Sequence, residues 1–407
     1  WSWRSYYWQT SYSKVEKTNT PLINDKLYRA DIVDTNGNYL AKTVNSIDIG
    51  LKTSEVINQK KLLLSLNLIF PDKDFDEIKT KINQKKFFYL EKKVSEENYE
   101  KLMKLGDKSL KPEEKVLRIY PQKNLFSHII GQIDNDNIGI SGLEKSLNEL
   151  LIKSRKSIRL TVDKDLQFLI REELIKYQEI FKSKGSASIL MDIHNGNILS
   201  LVSLPDFDPN ERQNLTDVNY INRVTKGTYE LGSVFKAFTF ASALNEKLIK
   251  PETEFLNLPK SINCYGFPIR EYDNEIPSDL TAEQIFVRSG NIGSVRIAQK
   301  VGPEKFKSFL EKIGVLSDIQ FDIEEVAPQK NYNFGKCKLA TASFGHGVAT
   351  TILQLAKGYA ILSNGGYDIK PTLVENNLEK NIKKKKLLNE GVSKKFLNYN
   401  IKIVNKK

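Results

Sequence analysis

Ser233 and Lys236 are the residues whose types and spacing could do chemistry. They stand three apart in Tyr229-Glu230-Leu231-Gly232-Ser233-Val234-Phe235-Lys236. The segment that follows, Ala237 to Leu244, is apolar on nearly every side, which reads as a helix buried in a core. Gly232 marks a backbone break before it. With a helix starting near Ser233, the hydroxyl and the ammonium share a face one turn apart. Burial against Phe235, Ala237 and Phe240 would disfavour the charged lysine, leaving a neutral base beside a hydroxyl nucleophile. The tetrad alone is a weak signal, since Ser11 to Lys14 also fits it inside a polar stretch. The argument therefore rests on the frame around it.

The elements that must position this pair come before and after it. Arg29 to Ala41 carries an Asn36-Gly37 turn between two strand-like runs, a hairpin signature. Residues 51–116 alternate lysine-rich runs with helical apolar spacing (Val56, Leu62, Leu63, Leu64), and Phe87 to Leu90 reads as a short strand. Ile158 to Asp163 reads as a strand, with Asp163 placed to cap a helix from Asp165 to Phe181. Ala187–Ile193 and Ile198–Ser203 flank an Asn195-Gly196 turn and form a second hairpin. Residues 251–279 show no regular pattern. Thr281 and Gln284 form a capping box for a helix ending at Arg288-Ser289-Gly290-Asn291. Helices over Ile292–Val301, Glu304–Ile313 and Thr350–Ser363 follow, the first closed by Gly302-Pro303 and the last by Asn364-Gly365-Gly366. Phe344-Gly345-His346-Gly347 reads as a turn. The lysine run 383–386 is most simply a solvated face or loop.

Composition bounds the rest. The 407 residues have 40% hydrophobic content, enough for two or three cored domains. The net charge of +12 favours anionic partners such as nucleic acid, a membrane surface or an acidic polymer. No aromatic–basic interleaving or nucleic-acid motif accompanies it, so no nucleic acid is expected. Cys264 and Cys337 lie far apart, and their spacing argues neither a metal motif nor a disulfide. His128, His194 and His346 lack metal-ligand spacing. No cofactor and no metal is expected. The opening Trp1 to Trp8 is dense in Trp and Tyr, rings that gather at membrane interfaces or form an ordinary aromatic tail. No run of about 18 apolar residues occurs.

Six stretches, in order, resemble a family: the class B penicillin-binding proteins, in particular the division-type peptidoglycan transpeptidases. The Arg29–Ala41 hairpin resembles its RGxIxDRNGxxLA signature, with Ala30 and Thr35 departing from the usual Gly and Arg. Arg118–Pro121 with Gly139–Glu144 resembles its RxYP and GxxGLE junction, and Ser203–Asn210 its SxPxFDPN loop. Ser233–Lys236 matches SxxK in a YExGSxFK frame, with Leu231 where Pro or Met is usual. Ser289-Gly290-Asn291 matches SxN; Ser65, Ser146 and Ser261 also head such tripeptides, and position at a helix end singles out Ser289. Phe344–Gly347 and Gln354–Gly366 resemble the block that follows.

The resemblance implies an α+β fold: a penicillin-binding transpeptidase domain, an antiparallel sheet with helices on both faces, over 158–407. An elongated mixed α/β pedestal at 25–157 precedes it, after a membrane-proximal linker at 1–24. It implies Ser233 as nucleophile, Lys236 as its proton acceptor, Ser289 as a relay to the leaving D-Ala and Asn291 as a hydrogen-bond donor to substrate. The implied substrates are peptidoglycan stem peptides, with β-lactams as acylating inhibitors. The implied partners are a lipid-linked glycan polymerase and other division proteins, and the implied location is the bacterial inner membrane through one N-terminal anchor, with the bulk in the periplasm. Asn291, where elongation-type relatives often carry Asp, favours the division type. The family's third motif, Lys-Thr-Gly, does not occur in the 407 residues. Truncation at both ends is the expectation, with Lys-Thr-Gly a few tens of residues past Lys407. The sheet is then incomplete, with two of about five strands and an exposed edge. The 407 residues alone are expected to bind penicillin poorly, an expectation that stoichiometric acylation of Ser233 would sink. A non-catalytic division scaffold and a β-lactam-sensing or β-lactamase relative are the alternatives; the Arg29–Glu144 region argues against a simple β-lactamase.

Overall fold

A computed structural model describes residues 28–211, 218–324, 326–327, 332–375 and 385–404. The aromatic opening at Trp1–Trp8, the rest of the 1–24 linker, and Lys383 and Lys384 lie outside the described residues. The chain forms a mixed α/β structure, and its contacts divide into two compact units.

The first unit contains residues 41–119 and 152–155. Its spine is an antiparallel ladder running from Lys42 opposite Ile119 to Leu51 opposite Leu110. Phe88–Glu91 pairs with the other edge of the same strand, with Leu51 opposite Phe88. Ile49, Leu51, Leu90 and Leu110 from the sheet meet Leu62, Leu66, Ile78, Ile82 and Leu102 from three helices. Those helices, Gln59–Ile69, Phe75–Asn83 and Glu96–Lys104, start at Asn58, Asp74 and Ser95, whose side chains each accept a backbone N–H of the first turn. Each such cap is worth about 1 kcal/mol. The strand Leu110–Ile119 was not legible in the sequence, because Lys-Pro-Glu-Glu-Lys carries no apolar alternation. Its pairing holds it instead, with Lys115 reaching the buried Asp48 at 2.9 Å.

The second unit contains residues 32–40, 120–151 and 156 onward. Ser186–Met191 and Ile198–Leu204 form the expected hairpin. At its turn, Gly196 has φ +84°, and a Cβ there would sit 2.2 Å from the Lys370 carbonyl oxygen. Both observations demand glycine. Asp163 caps the Lys164–Phe181 helix as expected, and that helix packs on the hairpin. Its buried Gln167 bonds the Leu201 backbone through both ends of its amide. The preceding strand is shorter than expected, only Ile158–Arg159.

A helical core surrounds the segment Lys236–Asn245, whose residues 236–244 are all buried. Against it pack Ala282–Val287, Asn291–Val301, Pro303–Lys312 and Glu390–Val404. Both Thr281 with Gln284 and Thr351 with Gln354 form reciprocal capping boxes. Phe240 stacks on Phe286 at 5.0 Å and meets Tyr399 edge-on at 5.7 Å. Phe240→Ala should therefore cost about 3–5 kcal/mol, read as a lowered urea midpoint for this unit.

The stretch 251–279, irregular by its sequence, contains order. Ser261–Cys264 and Phe267–Arg270 form an antiparallel hairpin around a Tyr265-Gly266 turn. Glu254–Phe255 pairs with Leu280–Thr281. These strands are two to four residues long and lie largely at the surface, so no periodicity announces them. The sequence spacing left the cysteines undecided; Cys264 and Cys337 form a disulfide. It ties the hairpin to the helix Lys336–Ala342 across a separation of 73 residues. On the chain-entropy account a loop of that length contributes roughly 4 kcal/mol.

Candidate active site

Ser233 sits in a single 3-10 turn, Gly232–Phe235, and the α-helix proper begins at Lys236. The helix was expected to begin near Ser233; the tighter turn supplies the start. The Lys236 N–H donates to the Ser233 carbonyl, so the two residues remain one turn apart. Gly232 has φ +62° and lies directly on Gly345, where a Cβ would be 2.1 Å from the Gly232 carbonyl oxygen. Gly345 itself has φ +80°. The expected turn at Phe344–Gly347 is thus what the Ser233 turn rests on. Thr239 Oγ1 donates to the Ser343 carbonyl at 2.8 Å and Tyr359 Oη to the Val234 carbonyl at 2.6 Å. Strand Ala349–Thr351 pairs with Thr228–Glu230, bracketing the same loop.

The two members of the tetrad differ sharply in exposure. The Ser233 side chain is exposed, while Lys236 is only 2% exposed. Burial pulls the lysine down to about 8, with the Glu271 carboxylate opposing that pull. A substantial neutral fraction at mildly alkaline pH follows, as a base requires. The ammonium donates to the Ser289 carbonyl and, at 3.0 Å, to the Ser289 hydroxyl. The structure therefore brings Lys236 and Ser289 together across 53 residues.

Ser289 holds an unusual backbone. The helix Ala282–Val287 ends in a Schellman motif: the Ser289 N–H bonds the Phe286 carbonyl at 3.1 Å, and the Gly290 N–H bonds the Ile285 carbonyl at 2.9 Å. The left-handed position in that motif normally takes glycine, yet Ser289 occupies it with φ +54°. Such a conformation costs a non-glycine residue on the order of 1 kcal/mol. A hydroxyl kept at that cost, facing a buried lysine, points to function. Ser289→Gly should therefore hold or raise stability, and, if Ser233 is acylated as the resemblance implies, slow that acylation, a split that thermal unfolding and penicillin labelling would together reveal.

Asn291 opens the next helix, Asn291–Val301. Its side-chain amide donates to the Arg270 carbonyl at 2.9 Å. Its backbone N–H donates to one Glu271 carboxylate oxygen, and the Ile292 N–H donates to the other at 2.9 Å. Asn291 and Ser233 stand on separate elements, the Asn291–Val301 helix and the Gly232–Phe235 turn.

Sequence reasoning missed Glu271, Gly345 as a backbone support, and Tyr359. One signal for Glu271 was available: a helix with Gly290 at its N-cap has no side chain of its own to bond its first N–H groups, so an acceptor must come from elsewhere. The histidines take other positions. His128 is buried and bonded to the Pro205 carbonyl at 3.1 Å, and burial pulls it down to about 4. His346 lies 2.9 Å from Glu230. Among the described residues no cluster of three or more metal-capable side chains occurs.

Known proteins resemble this chain over much of its length. Residues 186–402 match the family described as penicillin binding protein transpeptidase domain, and residues 25–179 match the penicillin-binding protein dimerisation domain. The chain is 28% identical over 344 residues to a probable peptidoglycan D,D-transpeptidase FtsI of Caulobacter vibrioides, covering 83% of the chain and 58% of that relative. It is 27% identical over 374 residues to a probable peptidoglycan D,D-transpeptidase PenA of Neisseria meningitidis, covering 83% and 63%. Penicillin-binding protein PbpB of Mycolicibacterium smegmatis is 27% identical over 296 residues, covering 64% and 45%. The chain thus spans about six-tenths or less of the length of these relatives.

Proposed function

The chain belongs to the class B, FtsI-like penicillin-binding proteins, and from that premise we propose that it serves a peptidoglycan D,D-transpeptidase that cross-links stem peptides during septal wall synthesis. One observation carries the reading: a buried lysine, pulled down to about 8 by burial and hydrogen-bonded to Ser289, stands one turn behind an exposed serine.

The proposed chemistry is acyl transfer in two halves. Ser233 Oγ attacks the carbonyl carbon of the penultimate D-Ala, and its proton passes to neutral Lys236. The peptide bond to the terminal D-Ala breaks, and Ser289, bonded to Lys236, conveys that proton to the departing amine. The ester on Ser233 is then attacked by the side-chain amine of a neighbouring stem, forming the cross-link and freeing the hydroxyl. Asn291 orients the substrate amide. The Ser233 N–H, at the start of a helix, is suited to a developing oxyanion. A β-lactam would follow the first half and stop at the ester.

Other features support the setting. A disulfide between Cys264 and Cys337 belongs to oxidising compartments, as a periplasmic domain requires. The proposed location is the bacterial inner membrane through a single-pass anchor, with the bulk of the chain in the periplasm; among the described residues no helix is long and apolar enough to cross a membrane. The proposed domain bounds are a pedestal at 25–157 and a transpeptidase domain from 158, with a lipid-linked glycan polymerase and division proteins as partners.

The test is to incubate the full-length protein with a fluorescent penicillin and map the adduct by mass spectrometry. An adduct on the peptide containing Ser233, together with D-Ala release from a stem-peptide substrate, is the expected result. No adduct there would overturn the reading.

A further inference from the structure

Between the hairpin Ser261–Arg270 and the Ser289 turn lies a contact that no known motif of this sequence includes. Three consecutive residues clasp both flanks of that turn. The Arg270 carbonyl accepts the Asn291 side-chain amide at 2.9 Å. The Glu271 carboxylate accepts the backbone N–H groups of Asn291 and Ile292, one on each oxygen. The Tyr272 hydroxyl donates to the Arg288 carbonyl at 3.2 Å. Gly290 lies beside the same carboxylate, where a Cβ would make an ordinary contact with the Glu271 Oε1 at 3.5 Å. The turn is thus gripped from one side by residues 270–272 and from the other by Lys236.

The clasp is itself anchored. Ile269, Ile292, Val295 and Ala340 form a small separate core, against which Ile262, Cys264 and Phe344 pack. The Cys264–Cys337 disulfide fixes the hairpin to the helix leading into the Gly345 turn, on which Gly232 rests. Hairpin, Ser289 turn and Ser233 turn therefore share one support.

We propose that Glu271 is a positioning residue of this active site: its carboxylate sets where Asn291 and Ser289 stand relative to Lys236, and its charge sets the field at the lysine. This rests on the transpeptidase reading above. Two physical arguments carry it. A carboxylate accepting two N–H groups at the start of an eleven-residue helix is favoured by the helix dipole as well as by both bonds. It therefore holds its place firmly, and small displacements of reacting groups are expensive in rate. Among the described residues, Glu271 is also the charged group that acts on the Lys236 ammonium. Removing its charge takes away a contribution favouring the ammonium, so Lys236 gives up its proton at lower pH.

The experiment compares full-length wild type with Glu271→Gln, Glu271→Asp and Glu271→Ala, following the second-order rate of Ser233 acylation by a fluorescent penicillin from pH 6 to 10. Unfolding midpoints are measured in parallel. Glu271→Ala should lose ~10²-fold in rate. Glu271→Gln, which keeps the shape and one acceptor oxygen, should lose less but move the rise of rate with pH toward the acid side. Glu271→Asp, which keeps the charge, should leave that rise near its wild-type position and recover part of the rate lost in Glu271→Ala. Rates and pH profiles equal to wild type in all three would overturn the proposal. So would a uniform fall that tracks the unfolding midpoint with the pH rise unmoved, because that is a structural role only. Should Glu271→Ala fail to fold, the Gln and Asp profiles decide alone. Wild type that takes no label would overturn the transpeptidase reading and this role with it; labelled wild type with unmoved variants would overturn this role only.

Discussion

Ser233→Ala should abolish covalent labelling of the full-length protein by penicillin and leave its folding intact. The ester needs the hydroxyl oxygen, and Lys236 behind it is buried and already donates to Ser289. Loss of a nucleophile of this type is worth roughly 10⁴–10⁶-fold in rate. The stability change should stay within about 0.5 kcal/mol, because the side chain is exposed and its turn is held through its own backbone by Gly345 and the Tyr359 hydroxyl. In-gel fluorescence beside a urea titration measures both. Undiminished labelling in the variant would remove Ser233 from the mechanism.

Lys236→Met should separate activity from stability in the opposite way. Acylation should fall by about 10²–10⁴-fold, the usual contribution of a positioned base. The fold should become more stable near neutral pH. Wild-type Lys236 binds its proton less tightly folded (about 8) than unfolded (10.5). Below pH 8 both states are protonated, and the folded state bears the whole cost of a buried ammonium. Between pH 8 and 10.5 the unfolded state binds more protons, so wild-type stability rises with pH and the cost is relieved. At pH 7 it is at most roughly 3 kcal/mol, reduced by the two hydrogen bonds to Ser289 that methionine forfeits. The difference between variant and wild type should therefore shrink as pH climbs from 8 to 10.5. Urea midpoints at pH 7 and pH 10 test this, and a variant less stable than wild type at pH 7 would contradict it.

How much was legible beforehand depended on how locally each feature is encoded. The Lys236–Asn245 helix was readable because nine consecutive buried residues leave no polar face. The Asn195-Gly196 turn, the Asp163 cap and the Thr281–Gln284 box were readable because each is a contact between residues within a few positions. The Leu110–Ile119 strand was not, because a ladder partner some 70 positions away holds it while its own side chains are charged. The hairpin at 261–270 escaped for a related reason: its strands are four residues long and mostly exposed.

The sequence by itself pointed to the residues proposed to carry the chemistry and to the family they resemble, since Ser233, Lys236, Ser289 and Asn291 sit in ordered frames that short-range rules and resemblance can read. Only the tertiary structure decided how they are held. Lys236 meets Ser289 across 53 residues, Glu271 grips Asn291 across 20, Gly345 supports Gly232, and Cys264 pairs with Cys337. Contacts of that range depend on how helices and hairpins pack, and packing follows from many weak burial terms spread along the chain rather than from any local spacing.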